Sequence, residues 1–182
     1  MPLKQTLGKP DTSGRLIKWA VELNGSSTIQ GSGAGIVITS PQGEDLEFAI
    51  KFRFKVSNNE AEYEAPVAGM KMAYEAEAKH LLAYSDSQLM VKQVEGVYEA
   101  KEKSIVQYLQ QIAKLRTSLK SFQIIQIPRE ENAKADCLSR LASALEDCRT
   151  RHITIQYLPN PRATLAIQAI SSPTDCRTPI VE

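Results

Sequence analysis

The chain changes its apolar period near residue 57, and that change limits its fold more than any other feature. Upstream of it, apolar residues alternate. Ile17, Trp19, Val21 and Leu23 interleave with Lys18, Ala20, Glu22 and Asn24, which predicts a half-buried strand ended by the turn chemistry of Gly25-Ser26-Ser27. Gly33 to Thr39 is a short β-branched strand turned by Pro41-Gln42-Gly43-Glu44. Phe48, Ile50, Phe52 and Phe54 then share one parity across residues 46–56. Three such segments joined by short turns predict an antiparallel meander.

Downstream, helical spacing takes over. Ser57-Asn58-Asn59-Glu60 is a helix start, with Glu60 three residues after Ser57 as in a capping box. Ala61, Ala65, Ala68, Met72 and Ala76 follow at helical spacing. His80 to Ser85 reads as a short apolar strand, and Ser87 to Val94 as a brief helix. Ile105, Tyr108, Leu109, Ile112, Leu115 and Leu119 mark the clearest amphipathic helix. A strand over 122–127 closes at Pro128, and Ala135, Leu138, Leu141 and Ala142 mark a last helix. A meander followed by βα crossovers predicts an α/β domain, a mixed sheet flanked by helices.

With 182 residues, 42% of them hydrophobic, the chain can bury one sizeable core. A net charge of +1 gives no bulk attraction for polyanions, so a nucleic-acid partner must be held by a local patch. Cys137, Cys148 and Cys176 are scattered and not at metal-ligand spacing, which suits free thiols in a reducing compartment. No apolar run approaches the roughly 20 residues of a membrane span. Met1-Pro2-Leu3-Lys4-Gln5 also lacks a secretory apolar stretch, so the expectation is a soluble, intracellular protein with no membrane partner. Residues 1–15 read as a loose leader, 16–146 as the domain, and 147–182 as a linker or tail rich in proline. Within that tail Ile153, Ile155 and Tyr157 alternate like a strand.

Three acids stand out by placement. Glu62 lies one turn into the first long helix, Asp86 follows a buried strand, and Asp136 opens the last helix. In an α/β sheet, groups at strand ends and helix first turns gather at one rim. Carboxylates gathered there repel one another unless a divalent cation neutralises them, and hard oxygen ligands suit Mg²⁺ or Mn²⁺. Each acid also has a plain explanation: Glu62 and Asp136 complement helix dipoles, and Asp86-Ser87 caps a helix.

The blocks NGSS, SNNEAEYEA, YSDSQL and IPREENAKADCLSRLAS, in that order, resemble the type 1 ribonuclease H domain of plant gypsy-type LTR retrotransposon polyproteins. The resemblance covers about residues 16–144. It implies a ribonuclease H-like fold with a five-stranded mixed sheet, three antiparallel strands then two parallel ones, flanked by helices. It implies endonucleolytic cleavage of the RNA strand of an RNA–DNA hybrid by two Mg²⁺ or Mn²⁺ ions. The family's catalytic and metal-binding set falls on Asn24, Glu62, Asp86 and Asp136. By the same resemblance, Gly25, Ser57, Asn58, Asn59, Gln88 and Asn132 are expected to contact the substrate, with plain capping the alternative for Asn58 and Asn59.

Two departures stand out. The first acidic position is Asn24, an amide where a bridging carboxylate is expected, in an Asn-Gly dipeptide prone to deamidation. Glu22, two residues back on the same strand face, lies roughly 6.6 Å away, too far for its one extra methylene to compensate. Pro66 interrupts the helix bearing Glu62 at a penalty that shrinks if the helix begins near Glu62. No basic insertion lies between Gly96 and Ser104, and His80 and His152 read as structural. The stretch GKPDTSGRLIKWAVEL resembles the close of the upstream, reverse-transcriptase-linked ribonuclease H of such elements, and DCRTPIVE the linker leading towards integrase. The expectation is a polyprotein fragment with an internal deletion joining two pieces near Leu23 and Asn24. The reading from sequence is an impaired monomeric nuclease; the alternative is a catalytically dead nucleic-acid-binding or structural remnant. An integrase or transposase core shares the fold, but the NNEAEYEA and DSQ blocks match ribonuclease H.

Overall fold

The computed structural model describes residues 18–144 and 154–158. The meander is β1 (Trp19–Ser27), β2 (Ser32–Thr39) and β3 (Asp45–Phe52). It is followed by α1 (Asn58–Glu75), β4 (His80–Ser85), α2 (Gln88–Val94), α3 (Lys103–Thr117) and β5 (Ser121–Gln126). A 3-10 turn over Arg129–Asn132 leads into α4 (Ala133–Ala144), and β6 (Thr154–Leu158) comes last. The sheet order is β5-β4-β1-β2-β3-β6. β1, β2 and β3 pair antiparallel, whereas β4 runs parallel to β1 and β5 parallel to β4. The expected five-stranded mixed sheet is therefore present, and β6 adds a strand parallel to β3 at its edge.

β2 occupies the middle of the meander and is buried along its whole length. One face, with Ile36 and Ile38, joins Val21, Leu23, Ile50 and Phe52 in the main core beneath α1 and α3. The other face sends Val37 against Leu138 and Ala142 of α4. A strand covered on both faces must be apolar at both parities, as GAGIVIT is. Helix α4 approaches β2 so closely that a Cβ on Gly35 would lie 1.9 Å from the Ala135 carbonyl oxygen.

Three expectations need correction. β1 does not end at Gly25: Asn24 through Ser27 pair with Gly35 through Ser32, because the ladder to β2 outweighs local turn preference. The smaller penalty expected for Pro66 does not hold: α1 begins at Asn58, as the Ser57–Glu60 capping box predicts, so Pro66 lies well inside it and cannot donate an N–H to the Glu62 carbonyl. The tail expected from residue 147 contributes β6, whose Leu158 is buried in the main core and accepts the Arg53 N–H at 2.9 Å. The leader and the rest of the tail lie outside the described residues, as do Cys148, His152 and Cys176.

Candidate functional site: a carboxylate and amide rim

The rim lies where β4 ends beside the parallel β1, with Leu23 in register with Ser85. The next residues are Asn24, still within β1, and Asp86, just past the end of β4. Asn24 Nδ2 donates to Asp86 Oδ1 at 3.3 Å. Asn132 Nδ2, from the 3-10 turn, donates to the same oxygen at 3.1 Å and to the Leu23 carbonyl at 3.0 Å. The α4 hydroxyl of Ser139 lies 3.0 Å from Asn24 Oδ1 and 2.9 Å from the carbonyl of Asp136.

Glu62 reaches the rim from α1. Its Oε2 accepts the Ser87 hydroxyl at 2.6 Å, and Ser87 follows Asp86 directly and caps α2. Burial holds the Glu62 carboxyl above its ordinary pKa; the Ser87 hydrogen bond opposes this and the Asp86 charge adds to it. Asp136 behaves differently. Its carboxylate is taken by Arg140 Nη2 at 2.9 Å and Arg129 Nη2 at 3.4 Å, both on exposed side chains.

The structure therefore joins Asn24, Glu62 and Asp86 directly or through one neighbour, and links Asp136 to them only through its backbone and Ser139. Among the described residues, no three His, Cys, Asp or Glu side chains form a group able to hold a metal ion. Of the expected four-ligand set, Asn24 is the member that does not fit: it is a neutral amide that presents an N–H to the Asp86 carboxylate.

The expected substrate contacts divide. Gln88, the first residue of α2, is exposed beside the rim. Asn59 is partly covered in the first turn of α1. Ser57 is engaged as the N-cap, with a complete capping box to Glu60, and Asn58 Oδ1 accepts the Ser27 N–H at 3.1 Å. The bare Cα of Gly25 admits α1 rather than a ligand: a Cβ there would lie 1.9 Å from the Ala61 carbonyl oxygen. Asn132 is not in an open loop but 0% exposed, positioning β1 and Asp86 from beneath. Sequence reasoning missed Ser139 and Arg140. The Asp136–Arg140 spacing of four was legible as a helical ion pair. Ser139 carried no local signal, because its partner Asn24 is 115 residues away.

Phosphodiester hydrolysis requires positive charge aimed at the phosphoryl oxygens. Here amide donors at the centre of the rim are given to Asp86, and the exposed Arg129 and Arg140 pair with Asp136. Beneath the rim Asn132 Oδ1 is buried without a hydrogen-bond partner among the described residues, and exposed Gln88, Arg129 and Arg140 lie around the rim.

Residues 22–142 match the family described as reverse transcriptase-like. Ribonuclease HI of Halobacterium salinarum is 29% identical over 93 residues, which cover 51% of this chain and 46% of that protein. The chain thus spans about half the length of that relative. The crystal structure of RNase H1 from this halophilic archaeon is similar with a TM-score of 0.65 and 25% identity, over 69% of this chain and 96% of that one. LC11-RNase H1, isolated from compost and solved in complex with an RNA/DNA hybrid, is similar with a TM-score of 0.60 and 28% identity, over 67% of this chain and 94% of that one.

Proposed function

Since the chain belongs to the reverse transcriptase-like family and carries an RNase H-like domain, we propose that it engages RNA–DNA hybrids and is severely impaired in cleaving their RNA strand. The likeness to an RNase H1 solved on a hybrid supports the substrate class. The observation that carries the impairment is the Asn24–Asp86 hydrogen bond, which stands where the family resemblance places two carboxylates. In a competent site of this type Mg²⁺ or Mn²⁺ would supply the charge that hydrolysis needs. Asn24 removes one anionic ligand, while Asp136 keeps its charge and pairs with the exposed Arg129 and Arg140 side chains. The motif blocks support descent from a plant gypsy-type retrotransposon polyprotein, in which the domain sat between reverse transcriptase and integrase modules.

Fluorescence anisotropy with labelled RNA–DNA hybrid, duplex DNA and duplex RNA of one sequence tests the substrate class. The expected result is a preference for hybrid that weakens with salt, since phosphate contacts carry much of the affinity. Equal affinity for all three duplexes, or no binding, would contradict the proposal.

A further inference from the structure

We infer that Asn24 is a modification site gated by the fold: its side-chain amide becomes a carboxylate only when the last stretch of β1 opens. Asn24-Gly25 is the chain's one Asn-Gly dipeptide. In such a pair the Gly25 backbone nitrogen gives its proton to solvent base and attacks Asn24 Cγ. The bond to Nδ2 breaks and ammonia leaves. Water then opens the cyclic imide at one carbonyl to give aspartate, or at the other to give isoaspartate. The chemistry needs water and no cofactor.

The closed sheet opposes that attack. The Gly25 nitrogen must turn onto the side chain before it, a conformation that the extended strand denies it. Gly25 is paired with Ala34, and it lies so close to α1 that a Cβ would stand 1.9 Å from the Ala61 carbonyl oxygen. The Asn24 amide is held at both ends, Nδ2 by Asp86 at 3.3 Å and Oδ1 by Ser139 of α4 at 3.0 Å.

The topology says where the gate is. β4 pairs with β1 only as far as Leu23 opposite Ser85, whereas β2 pairs with β1 through Ser27. From Asn24 onward β1 and β2 form a two-stranded ribbon, and such ribbons are marginal by themselves. Three hydrogen bonds pin it: Ser26 Oγ to the Ser139 carbonyl at 3.2 Å, Ser27 Oγ to the Val56 carbonyl at 3.0 Å, and Ser27 N–H to Asn58 Oδ1 at 3.1 Å. Opening the ribbon exposes little surface, so it costs less than global unfolding. The aspartate product supplies the carboxylate the rim lacks, a consequence that rests on the proposed function.

The full chain is aged at mildly alkaline pH, natively and unfolded in guanidinium chloride, and the mass gain at Asn24 is followed by tryptic mass spectrometry. Asn24 is the only asparagine between Lys18 and Lys51, so the assignment is direct. No nucleic acid is present, so failure here leaves the hybrid-binding proposal standing, and the reverse also holds. The native chain should react at least about tenfold more slowly than the unfolded one, equivalent to about 1.4 kcal/mol of opening free energy. Ser27→Ala, which removes one pin, should react roughly 2- to 10-fold faster than the parent. Guanidinium below the unfolding transition should hardly change the native rate, because a local opening has little denaturant dependence. Equal native and unfolded rates, or equal rates in Ser27→Ala and parent, overturn the inference. A native rate that climbs with guanidinium in step with global unfolding overturns it as well.

Discussion

Asn24 and Gly25 are adjacent on β1 and face opposite sides of the sheet, so each answers to a different helix. Asn24 meets Ser139 of α4, whereas Gly25 lies against the backbone of α1 at Ala61 and Glu62. Gly25→Ala would force a methyl group to within 1.9 Å of the Ala61 carbonyl oxygen, a contact that backbone cannot relieve without moving α1. The expected loss is about 3 kcal/mol or more in urea unfolding, with the Glu62 carboxyl displaced from Ser87. A loss below about 0.5 kcal/mol would show that α1 does not depend on this close approach. The acids were legible residue by residue, since strand ends and helix first turns are local features. The direction of the Asn24 amide was not, because it is set by groups 62 and 115 residues away.

At the scale of elements, α1 carries its start signal in sequence. The Ser57 hydroxyl accepts the Glu60 N–H at 3.1 Å, and Glu60 Oε2 accepts the Ser57 N–H at 2.9 Å. Ser57→Ala should cost about 1 kcal/mol in unfolding free energy. The Glu60 carboxyl lies below its ordinary pKa of 4.5, chiefly because it accepts that backbone N–H. Its folded pKa is thus lower than its unfolded one. The associated stability is fully present above the unfolded value and is lost as pH falls through the folded value. Glu60→Gln should therefore be less stable than the parent at neutral pH and equal to it in strong acid. A gap that persists unchanged into acid would assign the effect to packing. The boundaries of β4 and α1 followed from local chemistry. The end of β1 did not, since pairing with β2 carries it past Gly25.

For the whole molecule, the sheet ends at β6 rather than at β3. The segment after α4 reads as tail because its prolines suggest a linker, although the short alternation at 153–157 reads as a strand able to pair. Its partner, the outer edge of β3, makes it a strand. A chain ended at residue 146 would bare that edge and uncover the Leu158 site in the core. Such a chain should lose roughly 1–3 kcal/mol of stability and self-associate more than the full chain in light scattering. Unchanged stability and a monomeric short form would show that β6 is dispensable. No helix among the described residues is long and apolar enough to cross a membrane.

The central claim, that Asn24 disables the hydrolytic rim of a hybrid-engaging domain, is tested most directly by single-turnover cleavage of a 5′-labelled RNA–DNA hybrid in Mg²⁺. Fresh parent protein, verified by mass spectrometry to lack aspartate at position 24, is compared with Asn24→Asp. Loss of one preorganised charge contact typically lowers the rate by about 10²–10³, so Asn24→Asp should cleave faster by that order. Equal rates in the two proteins would contradict the claim.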